Sequence, residues 1–341
     1  MKSAWLLLVL IPVLGGLLAF VQPPPRPAAQ PGRALPGGAL VAFSKGYRVS
    51  FYGLERLHPF DIGKPGRIAR HLVEQGLMEK QDFAIADEVD PTLLARVHDP
   101  AYLASLSTPK VLSEALEVAV PGFLPKAALD RRVLGPFRRQ VQGSVLAARG
   151  ARAHGLGINL GGGFHHARPA MGHGFCVYND VAVAIAAMRE EGLEGTVLIV
   201  DTDAHQGDGS HAFFAQDPTV FSLSLHQAGI FPQPRLPGDL DQDLPAGIND
   251  SDFLAVLAAV FERAPQDPAF VVHVAGSDVL ADDPLASLGL TPEGLVERDL
   301  FVLRWARQRG VPLLHLLAGG YGPSSAQAQA RSVEAMLGEL R

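Results

Sequence analysis

Cysteine is almost missing from this chain: Cys176 is the only one in 341 residues. A metal centre built as a cage of thiolates is therefore excluded. A lone thiol neither requires nor forbids an oxidising compartment, and within Gly174-Phe175-Cys176 it reads as a small buried hydrophobe. Charge is sparse as well: 19% of residues are charged, the net charge is −6 and no basic run appears. The chain thus lacks the electrostatic footprint of a nucleic-acid binder. No internal repeat is visible, so a repeat array is not indicated.

What the chain does have is apolar mass, 48% of its residues, enough for a sizeable core. Strand-like and helix-like segments alternate as a doubly wound α/β fold requires. Amphipathic helices are predicted over Gly66 to Leu77, Val141 to His154, Asp180 to Glu191, Asp252 to Ala264 and Pro292 to Arg309. Phe231 to Ala246, rich in Pro, Gly, Asp and Leu, reads as a long loop at a functional rim. Length alone would allow two domains. The polar motifs, however, are spread along the whole body and must converge, which favours one domain.

Val197 to Val200 is an apolar, β-branched run of the kind that forms a buried parallel strand, and Asp201, Asp203 and His205 follow it. Alternation along a strand would project these three together, at the carboxyl end where open α/β sheets hold ligands. Two carboxylates and an imidazole in one place are costly unless a cation neutralises them. Asp278, after the run beginning at Phe270, offers a third ligand. Asp203, His205 and Asp278 would leave a coordination position for water, as catalytic rather than structural zinc sites do. The run Val311 to Leu317 leads into Ala318-Gly319-Gly320-Tyr321-Gly322, where glycines permit close backbone approach and present Tyr321 as a donor to a developing oxyanion.

Together these segments resemble the histone deacetylase family. In order, His58-Pro59-Phe60-Asp61, Val97-His98, Gly161-Gly162-Gly163-Phe164-His165-His166, Gly174-Phe175-Cys176, Asp201 to Gly209, Gly276-Ser277-Asp278 and Gly319-Gly320-Tyr321 carry the likeness. The Gly-Gly-Gly-Phe-His-His form and the His-Pro-Phe-Asp segment look most like the class IV branch and its bacterial relatives. Each motif is weak singly; their joint order is specific. The resemblance implies the arginase/deacetylase fold: a single domain with a mainly parallel eight-stranded sheet and helices on both faces. It implies zinc at Asp203, His205 and Asp278, with ferrous iron as the alternative. His165 and His166 would form a tandem acid/base pair oriented by Asp201 and Asp208, and Tyr321 would donate to the oxyanion. Gly174, Phe175 and Phe231 match the narrow tunnel for an acylated lysine's stem. Asp201 and Ser224, with Leu225 beside it, resemble part of a K+ or Na+ site.

The resemblance also has departures. Gln206 stands where many relatives have a second histidine, Pro100 follows His98-Asp99 where class I members place a substrate-gripping aspartate, and Arg168 to His173 differs from better-known rims. The implied activity is removal of an acetyl or longer acyl group from an acylated amine, an acyl-lysine protein or peptide. Acetylpolyamines or other small amides are the alternative substrates. A two-manganese ureohydrolase on the same fold would need further bridging carboxylates. A noncatalytic, membrane-tethered acyl-binding protein is the contrasting reading.

The amino terminus adds a separate expectation. Residues 1–21 contain the apolar run Ala4 to Val21 after Lys2, interrupted only by Pro12, Gly15 and Gly16, which reads as a signal peptide or membrane anchor. Residues 22–40 read as a Pro/Ala/Gly-rich linker and 41–341 as the catalytic domain. Export or anchoring would place the catalytic domain outside the cytoplasm, in the periplasm of a bacterium, and argues against histones as substrates.

Overall fold

Among the described residues, short runs mostly dense in Val, Leu and Ile form the strands of a seven-stranded, all-parallel sheet, the exception being the polar edge strand Leu240–Leu244. A computed structural model describes residues 29–50, 55, 59 and 61–341. The strands are β1 (Ala39–Ala42), β2 (Leu156–Asn159), β3 (Val197–Asp201), β4 (Val220–Gln227), β5 (Leu240–Leu244), β6 (Phe270–Val274) and β7 (Leu313–Leu316). They lie in the order β1-β2-β7-β6-β3-β4-β5. The resemblance implied eight strands, and seven are formed among the described residues.

Side chains alternate between two apolar layers, as the pleat demands. Val41, Leu198, Val200, Leu223 and Val271 join a core with the helices Lys64–Glu74, Asp250–Phe261, Pro292–Gln308 and Ser325–Gly338. Ala42, Val197, Ile199, Val272 and Leu314 join the other, against the helices Gly135–His154 and Asp180–Glu190. Every residue of β3 and β6 is buried, which explains why they read as continuous apolar runs. The chain leaves β3 toward β4 and β5 but leaves β6 toward β7, so the order reverses between the neighbours β3 and β6. Ligands bind at such a reversal, outside the carboxyl ends of the strands.

Two expectations are corrected here. The long loop expected from Phe231 to Ala246 contains β5, an edge strand whose Leu240 and Leu244 point inward while Asp241 to Asp243 are more exposed. Acidic residues in the middle of the strand hid it from an apolar reading, and charge on an edge strand discourages pairing with other chains. The expected linker boundary at residue 40 falls inside β1, and Gln30 is bridged to Ile85 on the body. The run Ala4 to Val21, His58 and Phe60 lie outside the described residues. Among the described residues no helix is long and apolar enough to cross a membrane. Because Leu244 is 1% exposed, Leu244→Ala is expected to lower stability by about 2–5 kcal/mol in urea denaturation. A loss below about 0.5 kcal/mol, the scale of surface changes, would contradict its place in the core.

Candidate active site

β3 ends at Asp201, and the segment after it is bent rather than extended. Asp201 Oδ1 accepts from Asp203 N at 3.1 Å, and Asp203 Oδ1 accepts from His205 N at 3.0 Å. These successive turns, rather than strand pleat, carry Asp203 and His205 round to Asp278. That residue lies four positions beyond the end of β6, and its Oδ1 accepts from Ala204 N at 2.8 Å. His205 Nδ1 stands 2.9 Å from Asp278 Oδ2 and 3.3 Å from Asp203 Oδ1. One ligand atom from each of the three lies within 4.8 Å of the others, and all three residues are buried.

Glycine is required beside this cluster. A Cβ on Gly276 would lie 2.0 Å from Asp203 Oδ2, and one on Gly319 would lie 2.6 Å from both Asp203 Oδ2 and Asp278 Oδ2. Gly319 N donates to Asp203 Oδ2 at 3.0 Å. Burial, then the neighbouring Asp203, raises the Asp278 carboxyl to about 7. Burial also opposes ionisation of Asp203, but His165 and the His205 hydrogen bond outweigh it and hold that carboxyl well below its usual range. Two crowded carboxyls driven apart in this way, with an imidazole between them, are a donor set that fits a divalent cation.

The adjacent histidines are each tied to an aspartate. His165 Nδ1 lies 2.7 Å from Asp201 Oδ2, and His166 Nδ1 lies 2.7 Å from Asp208 Oδ1. Such pairings fix ring orientation and leave Nε2 of each ring for chemistry. Burial favours neutral imidazole at both. At His165 the carboxylates of Asp201 and Asp203 overcome it and raise the ring to about 9. At His166 burial prevails, reinforced by His165, and lowers the ring to about 3.

Tyr321 sits on the turn after β7, where Asp283 Oδ2 accepts from Tyr321 N at 2.8 Å and from Gly322 N at 3.1 Å. Burial, then Asp203 and Asp278, raises its phenol well above the usual value, so it stays protonated. Phe175 packs edge-on to Tyr321, with centroids 5.8 Å apart. Phe231 packs edge-on to His166 at 5.0 Å and to His205 at 6.2 Å. The two phenylalanines thus meet different parts of the site. Gly174 lies against His166, close enough that a Cβ would meet its ring at 2.5 Å. Ser224, opposite Asp201 in the β3–β4 register, has its hydroxyl 2.9 Å from His226 Nδ1. Asp99 caps the short helix Pro100–Ser105, accepting from Ala101 N at 2.7 Å.

Several supporting residues escaped sequence reading. Arg168 donates through Nε and NH2 to Asp208 Oδ2, at 2.9 and 2.6 Å. Asp180 accepts from Gly163 N and Phe164 N, at 2.9 and 2.6 Å, and so fixes the loop that carries both histidines. Lys64, 2% exposed, donates to the carbonyls of Ala318 and Gly319 at 3.0 and 2.7 Å. Burial lowers its ammonium to about 8 against the pull of Asp278, Asp203 and Asp283. A usable signal existed for Asp180 alone, in the Asn179-Asp180 helix start, where Asn179 accepts from Ala182 N.

The fold is a parallel α/β sheet whose crevice holds a buried Asp-His-Asp cluster with a donor set that suits a divalent cation, and the comparisons give its class. The description "Histone deacetylase domain" matches residues 58–337. Histone deacetylase 2 of Arabidopsis thaliana is 37% identical over 299 residues, covering 86% of this chain and 77% of that protein. A probable deacetylase of Archaeoglobus fulgidus is 31% identical over 272 residues, covering 75% of this chain and 74% of its own. The crystal structure of the HDA15 HD domain superposes with a TM-score of 0.72 at 25% identity, covering 89% of this chain and 90% of that one. The chain belongs to the histone deacetylase family and is a deacetylase of the hydrolase class.

Asp208 supplies an acid-side test. Burial opposes its ionisation, but the His166 hydrogen bond and then Arg168 hold the carboxyl at about 2. An unfolded aspartate titrates near 3.9, so the ionised form favours folding. That contribution is complete above about pH 4 and is lost as pH falls through about 2. Asp208→Asn is expected to flatten the fall in urea midpoint of metal-free protein across this interval; an unchanged slope would contradict the pairing.

Proposed function

We propose that this deacetylase hydrolyses the amide of an acylated amine, with acyl-lysine in a protein or peptide as the first substrate class and small acylated amines such as acetylpolyamines as the second. Asp203, His205 and Asp278 would hold zinc, or ferrous iron in its place. The observation that carries this reading is their juxtaposition with two histidines whose Nδ1 atoms are each held by an aspartate. When bound, the metal supplies an acidified water and a polarised acyl carbonyl.

The protein's own groups do the rest. His166, neutral at physiological pH, accepts the proton of the attacking water at Nε2 and passes one to the departing amine. His165, paired with Asp201, brings positive charge beside the reacting carbonyl. The Tyr321 hydroxyl donates to the oxyanion as it develops. Carboxylate and free amine are the products. Phe175 and Phe231 flank the substrate stem, with Gly174 leaving room beside His166. A K+ or Na+ bound through Asp201 and Ser224 belongs to the same proposal.

Acetyl-, octanoyl- and myristoyl-lysine peptides and acetylated polyamines, offered in single turnover with and without a chelator, test the reading. Chelator-sensitive release of one acyl class is expected. Binding without release of any acyl group would favour a noncatalytic role. Tyr321→Phe is expected to lose roughly 100- to 1,000-fold in turnover with its metal content unchanged; full turnover in that variant would remove Tyr321 from the chemistry.

The reading extends to location. The apolar run Ala4 to Val21 and the Pro/Ala/Gly-rich stretch after it support a signal peptide or anchor that takes the catalytic domain out of the cytoplasm. Cell fractionation checks this: the full chain should leave the cytosolic fraction while a chain starting at Ala39 stays there, and equal cytosolic recovery would refute it.

A further inference from the structure

Behind the Asp203–His205–Asp278 cluster lies a second set of buried polar groups that the chemistry above does not use. Its centre is Arg298, on the helix Pro292–Gln308 and 0% exposed. Its NH1 donates to Thr202 O at 3.1 Å and to Gly276 O at 2.6 Å. Thr202 immediately precedes Asp203, and Gly276 lies two residues before Asp278, so one nitrogen bridges the two loops that carry the carboxylates. Asp299 Oδ1 accepts from Arg298 Nε at 2.8 Å, and Ser332 Oγ donates to Asp299 Oδ2 at 2.5 Å. Thr202 Oγ1 lies 2.9 Å from His273 Nε2, and His273 Nδ1 lies 3.1 Å from His315 Nδ1.

His273, Asp299 and His315 also bring metal-type atoms within 4.8 Å of one another. Arg298 already supplies the cation there, and a divalent ion beside it would put like charges together where no water screens them. The group therefore reads as a brace rather than a second metal centre.

We propose that Arg298 is a positioning residue: it sets the separation of the Asp203 and Asp278 loops, and through it the metal affinity of the site. The proposal rests on reading Asp203, His205 and Asp278 as the metal ligands.

Zinc affinity of the full-length protein, measured by competition with a chromophoric chelator, provides the test. Arg298→Lys keeps the charge beside Asp299 but cannot span two carbonyls and a carboxylate as a planar guanidinium does. Removing Arg298 alone would strand Asp299, so the second variant, Arg298→Met with Asp299→Leu, removes both charges. Each is expected to bind zinc about 10- to 100-fold more weakly, with activity lost at limiting zinc and recovered in excess zinc. A purely structural role would lower Tm and leave zinc affinity alone. If neither variant folds, Ser332→Ala, which loosens only Asp299, is expected to weaken zinc binding several-fold. Wild-type zinc affinity in the folded variants, whichever they are, overturns the proposal. Asp203→Asn is run in parallel. Should it bind zinc like wild type, the ligand reading itself falls; should it lose zinc while the Arg298 variants keep it, only the positioning role falls.

Discussion

Buried negative charge is the constraint on which the rest of this structure depends. Asp201, Asp203, Asp208 and Asp278 are each at most 1% exposed and crowd together past the ends of two neighbouring strands. An unpaired buried charge costs several kcal/mol, so each carboxylate needs a partner. His165 answers Asp201, while His166 and Arg168 answer Asp208. Asp203 and Asp278 share His205 between them, with Lys64 near by. Burial and the neighbouring Asp203 raise the Asp278 carboxyl to about 7, so its charge is incompletely answered by the protein, and a cation would complete it.

Topology supplies the place for this concentration. The strand order reverses between β3 and β6, so their following loops diverge and leave a crevice. Apolar strand residues face two helical layers, and the carboxylates and histidines of the site stand at or beyond the strand ends. Asp180 holds the histidine loop, Lys64 the glycine turn before Tyr321, and Arg298 the backbone on both sides of the crevice. A deacetylase site needs the reacting groups fixed to a fraction of an ångström, and these buried contacts are its means of doing so.

Much of this was legible in the residues, and the exceptions have physical causes. Apolar runs such as Val197 to Val200 mark strands because parallel strands are buried on both faces. Asp203, His205, Asp278 and the paired histidines stand out as polar residues following apolar runs. Their convergence, however, comes from Asx-type turns after β3, which strand alternation does not describe. β5 was missed because three of its five residues are polar. Lys64 and Arg298 were missed because their meaning lies in distant partners: Lys64 meets a carbonyl 254 positions away, and Arg298 one 96 positions away. An isolated lysine or arginine on a helix reads as a solvated side chain until the fold is known.

If Asp203, His205 and Asp278 hold the proposed metal, they form a single centre at this crevice. Anomalous diffraction at the zinc edge, from crystals of zinc-loaded protein, tests it most directly. One strong peak is expected within ligand distance, about 2.0–2.2 Å, of a carboxylate oxygen of Asp203, a ring nitrogen of His205 and a carboxylate oxygen of Asp278. A peak between His273, Asp299 and His315 instead, or none near Asp203, would contradict it.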